Sequence, residues 1–114
     1  MTHEDVSRYA DMFAAMGAEP RLRIMRALLK AHPQGRVVGE LQAELGIAAS
    51  TLSHHLEKLR HEELVGVVRE GTFLRYRANT DTLRELLAFL YTECCAGAGV
   101  APPEVMVRIV RKTR

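Results

Sequence analysis

Tryptophan is absent from the 114-residue chain, and aromatic residues make up only 5% of it. So few rings exclude a surface that reads single strands or sugars by stacking on aromatic platforms. Long hydrophobic runs are missing too: nothing approaches the roughly 20 apolar residues that span a bilayer. Met1-Thr-His-Glu-Asp lacks the basic-then-apolar layout of a secretory leader, so the expectation is a cytoplasmic protein with no membrane partner. Cysteine is scarce, with Cys94 and Cys95 alone and adjacent. In a reducing compartment such thiols stay free and turn toward metal or redox chemistry rather than bridging. Nor does charge of one sign dominate: 16 Lys and Arg against 14 Asp and Glu give a formal +2. The placement of the cations, not their total, then decides whether a polyanion is bound. Also missing are a P-loop, a dinucleotide fingerprint, a Gly-x-Ser-x-Gly elbow and a metal-hydrolase motif. An enzyme is therefore not expected, and no cofactor is required.

What is present is a chain that is 47% hydrophobic and 26% charged, the size and balance of one globular domain. Val6, Tyr9, Ala10, Phe13 and Ala14 recur at helical spacing and Gly17 follows, which predicts a helix over about residues 4–16. Pro20 stands at an initiating position, and Leu22, Met25, Leu28 and Leu29 carry a second helix through Arg21 to Ala31. Val38, Leu41 and Leu45 mark a short third helix closed by Gly46. Only Ile47-Ala48-Ala49 separates it from a fourth periodic run, Ser50 to Glu63, so the junction must be a sharp helix-turn-helix. Beyond Leu64 the period changes to two, with Val65 to Glu70 and Phe73 to Ala78 flanking Gly71-Thr72, which predicts a two-stranded β-hairpin. Thr80 or Asp81 then caps a last helix carrying Leu83, Leu86, Leu87, Leu90 and Tyr91. Residues 1–95 read as one domain, and 96–114, with Ala96-Gly97-Ala98-Gly99 and Pro102-Pro103, as a mobile tail.

Four helices, a hairpin and a final helix give a mainly α protein of winged helix-turn-helix order. A helix that enters the major groove needs short donors and acceptors at its exposed N-terminal end, and Ser50, Thr51, Ser53 and His54 supply them. Phosphates need cations, and Lys58, Arg60, Arg69, Arg75 and Arg77 fall on that helix and the wing, interleaved with Glu57, Glu62, Glu63 and Glu70. His54 and His55 point about 100° apart on a helix and do not chelate one ion easily, so His54 is assigned to the groove and His55 to the packing boundary.

Three segments carry a resemblance: Glu19-Pro-Arg-Leu-Arg-Ile-Met-Arg-Ala-Leu-Leu, Leu45-Gly-Ile-Ala-Ala-Ser-Thr-Leu-Ser-His-His-Leu-Glu-Lys-Leu, and Val68-Arg-Glu-Gly with Arg75-Tyr. Over about residues 5–95 the chain resembles the ArsR/SmtB family of bacterial metal-sensing repressors. The resemblance implies a homodimer formed through the first and last helices, a palindromic double-stranded operator, and release of that operator when an inducer binds. It carries DNA contact onto Ser50, Thr51, Ser53, His54 and the wing arginines. Many relatives have a polar residue where this chain has Ala48 or Ala49, a departure that weakens the cap of the reading helix by about 1 kcal/mol.

Family members differ in where the inducer sits. The last helix offers Asp81, Glu85 and Glu93 but no His, which disfavours zinc; Val37 to Leu41 holds no Cys-x-Cys, and the second helix holds no cysteine. What remains is Cys94-Cys95, which resembles a branch of arsenic-responsive members with vicinal cysteines. Trivalent arsenic and antimony are thiophilic, so Cys94 and Cys95 are the expected metal ligands for arsenite, an organoarsenical such as methylarsenite, or antimonite. Convergence of both sulfurs is expected to require unwinding of the helix end, eased by Gly97. Relatives with the pair often have a third cysteine where this chain has Gly99-Val100-Ala101, so the expectation is a two-valent target, or a third ligand borrowed from solvent or a small thiol. Three alternatives stand beside this reading: a winged-helix protein-interaction module, a repressor of the same fold that responds to thiol redox state, and one that responds to another thiophilic metal.

Overall fold

A computed structural model describes residues 2–95; the tail at 96–114, with Gly97, lies outside the described residues. The first helix, α1 (His3–Met16), is opened by a reciprocal cap in which Thr2 Oγ1 accepts from the Asp5 amide and the Asp5 carboxylate accepts from the Thr2 amide, both at 3.2 Å. Next comes α2 (Glu19–Lys30), with Pro20 in its first turn where no intrahelical donor is needed. A short strand, β1 (Arg36–Val37), leads directly into α3 (Val38–Leu45). Gly46, in the left-handed region at φ 67°, closes α3 with its N–H on the Gln42 carbonyl. Two residues later the chain turns into α4 (Ala49–His61).

The core sits where these helices meet. Ile24, Met25 and Leu28 of α2, Leu41 of α3 and Leu52, Leu56 and Leu59 of α4 are all essentially fully buried, so the helix-turn-helix is clamped by its apolar stripes. The expected end of α4 at Glu63 is corrected to His61. Leu64 N–H reaches back to the Leu59 carbonyl (3.0 Å) and Glu63 N–H to Arg60 (2.9 Å), with Glu63 at φ 61°. Burial of both Leu59 and Leu64 drives this close of the helix.

The hairpin is β2 (Val65–Glu70) antiparallel to β3 (Phe73–Ala78), turned at Gly71 with φ 62°. The expected two-stranded hairpin is present, and β1 joins its edge to make a three-stranded sheet in the order β1-β3-β2, with Arg36 opposite Tyr76 and Val37 opposite Arg75. A two-residue strand is too short to show a period; it exists because the free edge of β3 supplies its hydrogen-bonding partners. Gly35 permits the approach. A Cβ there would lie 2.2 Å from the Tyr76 carbonyl oxygen, and its φ is 76°.

The last helix is α5 (Thr80–Cys95). Its expected cap at Thr80 or Asp81 is corrected to Asn79, whose Oδ1 accepts from the Thr82 amide at 3.3 Å. The chain divides into two compact units, the first ending at Thr82 and the second beginning at Leu83. Within the second, Leu86 is buried, while Leu87 and Leu90 are 62% and 43% exposed. Among the described residues no helix is long and apolar enough to cross a membrane.

Candidate nucleic-acid interface

The first unit presents α4 with one face closed and the other open. Leu52, Leu56 and Leu59 repeat at helical spacing on the closed face, which leaves Ser50, Thr51, Ser53, His54 and Lys58 exposed. Ser50 and Thr51 lie in the first turn of the helix, where side chains and unsatisfied backbone N–H groups point the same way and the helix dipole favours phosphate. Ala48 enters α4 in extended conformation and makes no side-chain cap, as the sequence implied.

Glu57 stands on the same open face. Its carboxylate is gripped by Arg60, with Nε at 3.0 and 3.1 Å from the two oxygens and a further bond from Nη2. That hydrogen bonding holds the Glu57 carboxyl below the ordinary carboxylate range. Arg60 and Glu57 therefore cancel one another, and Lys58, which makes no ion pair among the described residues, is left as the cation on the face.

On the wing the three arginines separate. The register pairs Arg69 with Leu74, Val68 with Arg75 and Gly66 with Arg77. Alternation then puts Arg75 and Arg77 on the face away from buried Tyr76 and Ala78, and Arg69 on the opposite face, out toward the hairpin tip. Arg75 is engaged, its Nε 2.9 Å from Glu70 and its Nη1 3.9 Å from Glu40 of α3. Arg77 is exposed, with Nε donating to the Gln34 carbonyl at 3.4 Å. Arg69 is exposed and makes no ion pair among the described residues.

Two arginines that the sequence reading left out hold α4 in place. Arg21, half-buried at the start of α2, donates through Nε to the Ala15 carbonyl at the end of α1 and through Nη1 to His55 Nδ1 at 3.4 Å. It thereby ties α1 to α4. Burial, then the positive charge of Arg21, pushes the His55 pKa down, so the ring is neutral and can accept that bond. Arg23 Nη2 donates to the Leu45 carbonyl at 3.2 Å, just before the turn into α4. Their signal was the Pro-Arg-Leu-Arg run, but which carbonyl or ring each would meet depends on packing between elements distant in sequence.

At the end of α5 the thiols expected to be free are joined. The helix persists through Cys95 with the two sulfurs joined as a Cys94–Cys95 disulfide, so thiolates are available to a metal only after reduction. Among the described residues no group of three or more His, Cys, Asp or Glu is gathered as a metal site.

The model of the family described as bacterial regulatory protein, arsR family, matches residues 19–67, the stretch from α2 to the start of the wing. The nodulation protein NolR of Rhizobium meliloti is 34% identical over 88 residues, covering 77% of this chain and 70% of that protein. The transcriptional activator HlyU of Vibrio cholerae is 31% identical over 84 residues, covering 74% and 75%. Its solved structure superposes with a TM-score of 0.66 over 82% of this chain and 99% of that one, at 28% identity. A homodimeric winged helix-turn-helix DNA-binding domain, Mb0332 from Mycobacterium bovis, gives 0.63 over 82% and 83% at 25% identity.

Proposed function

Because this chain belongs to the arsR family of bacterial regulatory proteins and is a transcriptional regulator, we propose that it works as a homodimeric repressor on a palindromic operator. Ser50, Thr51, Ser53 and His54 read base edges, while Lys58, Arg69, Arg75 and Arg77 hold phosphates. The observation that carries this reading is the open polar face of α4, held out by three buried leucines beside a wing with exposed arginines. Dimerisation through α1 and α5 supplies the second copy of α4 that a palindrome requires, one helical turn of about 34 Å away. Exposed Val6 and Phe13 on α1, and Leu87 and Leu90 on α5, support it. The test is selection of binding sequences from a random duplex pool. A palindromic consensus whose binding collapses in Ser50→Ala/His54→Ala is expected, and no retained duplex at low salt would favour a protein-interaction module instead.

The inducer reading rests on Cys94 and Cys95. Once reduced, the two thiols exchange with two hydroxyls of arsenite or methylarsenite; two S–As bonds form and two waters leave. Release of the operator by arsenite in the presence of reductant, lost in Cys94→Ser/Cys95→Ser without harm to DNA binding, is the expected result. The joined sulfurs favour a second reading, in which oxidation of the thiol pair is itself the signal. A reversible oxidant separates the two. Release on oxidation, with no response to arsenite under reductant, replaces the arsenic reading with the redox one.

A further inference from the structure

Two clefts of the first unit differ in electrical character. The larger, 530 Å³ between α1, the start of α2 and α4, mixes Asp11, Glu57 and Glu62 with Arg21, His54 and Lys58. The smaller, 270 Å³ between α2 and the end of α3, is lined by Arg23, Arg26 and Lys30, with Glu44 as the acid. That acid is already committed, since Glu44 Oε1 accepts from Arg36 Nε at 2.8 Å. Arg23, Arg26 and Lys30 make no ion pair among the described residues. They are spaced i, i+3 and i+7 along one exposed face of α2. Three like charges stacked on a helix face repel each other, and a polyanion relieves that repulsion.

The ridge starts at the reading helix. Arg23 is pinned to the carbonyl of Leu45, the last residue of α3, so its guanidinium stands at the turn that leads into α4. From Arg23 to Lys30 the helix rises about 10 Å, a length on the order of a few phosphate spacings of one strand. No aromatic side chain lines the cleft, so an acidic protein would find charge there without the buried anchor that protein interfaces use.

We propose that Arg23, Arg26 and Lys30 form a second phosphate-binding surface, which grips the duplex backbone beside the groove entered by α4. The proposal rests on the reading that the protein binds DNA, and it extends the footprint beyond the reading helix and the wing. Phosphate contacts carry no sequence information, so the ridge acts equally on operator and on unrelated DNA.

The test is the salt dependence of binding of the full chain to mixed-sequence duplex DNA, wild type against Arg26→Ala/Lys30→Ala. Removing two phosphate contacts from each protomer, four from the dimer, lowers the slope of log K against log salt by about 4, so between about 50 and 200 mM salt the wild type loses roughly a hundredfold more affinity than the variant. The charge-retaining Arg26→Lys/Lys30→Arg keeps the wild-type slope. An unchanged slope in the alanine pair, with an unchanged melting temperature, overturns the ridge while leaving DNA binding in place. Loss of slope in the charge-retaining pair overturns it as well. If the alanine pair fails to fold, Lys30→Ala alone carries the test, with a slope change of about 2 expected for the dimer and none overturning the ridge. Wild-type protein that holds no duplex even at low salt brings down the DNA reading and the ridge together.

Discussion

At the residue scale, Glu63 sits where a glycine belongs. It occupies the left-handed position that closes α4, at φ 61°, between the Leu64 to Leu59 and Glu63 to Arg60 backbone bonds. A side chain in that region costs about 1–2 kcal/mol, which glycine avoids. Among the described residues its carboxylate makes one ion pair, an exposed pairing with Arg8 at 3.9 Å, a contact of little worth in water. Glu63→Gly is therefore expected to stabilise the protein by about 1 kcal/mol, read as a higher urea midpoint at unchanged slope; destabilisation would show that the carboxylate matters more than the backbone. His55 governs a pH response. Its pKa is depressed in the folded chain, so the unfolded chain binds more protons as the pH drops below about 6.5, and folding weakens with acid. Melting curves between pH 7 and 5 should show this loss in the wild type and its disappearance in His55→Gln. An equal loss in both would mean the Arg21 to His55 contact does not set the response.

At the element scale, α4 is held by packing rather than by its own ends. Ala48 provides no side-chain oxygen for the amides of the first turn, while its backbone already has the extended conformation of a cap residue, φ −62° and ψ 147°. Ala48→Ser should supply that acceptor and raise stability by about 1 kcal/mol. Calorimetry or chemical denaturation checks it, and no gain would indicate that the first-turn amides are adequately hydrated without it. The same amides face the proposed groove. Leaving them uncapped keeps them available to a phosphate, so the Ser variant also asks whether a stronger cap weakens DNA binding.

At the scale of the whole molecule, reading a palindrome requires two copies. Leu87 and Leu90 stand exposed on α5 in the single chain, and burying them against a second copy is the reason such apolar exposure would be kept. Leu87→Glu/Leu90→Glu is expected to convert a dimer to a monomer in sedimentation and to reduce operator affinity by orders of magnitude, with the helix content unchanged. A dimer that survives both substitutions would place the interface elsewhere.

The sequence by itself determined the elements that depend on local spacing. The apolar repeat of Leu52, Leu56 and Leu59, the Gly46 stop, the Gly71 turn and the alternation from Val65 to Ala78 each encode a face or a bend through neighbours a few residues away. The polar N-terminal end of α4 and the adjacency of Cys94 and Cys95 were legible for the same reason. Only the tertiary structure decided what meets across distance. It paired β1 with the edge of β3, anchored Arg21 on His55 and Arg23 on Leu45, set Arg60 against Glu57, put Arg69 on the other face of the wing from Arg75 and Arg77, and left Arg26 and Lys30 outside any ion pair among the described residues. The near-neutral total charge concealed that division. Charges cancel in a composition whatever their positions, but in a fold they cancel only where packing brings their side chains within a few ångströms.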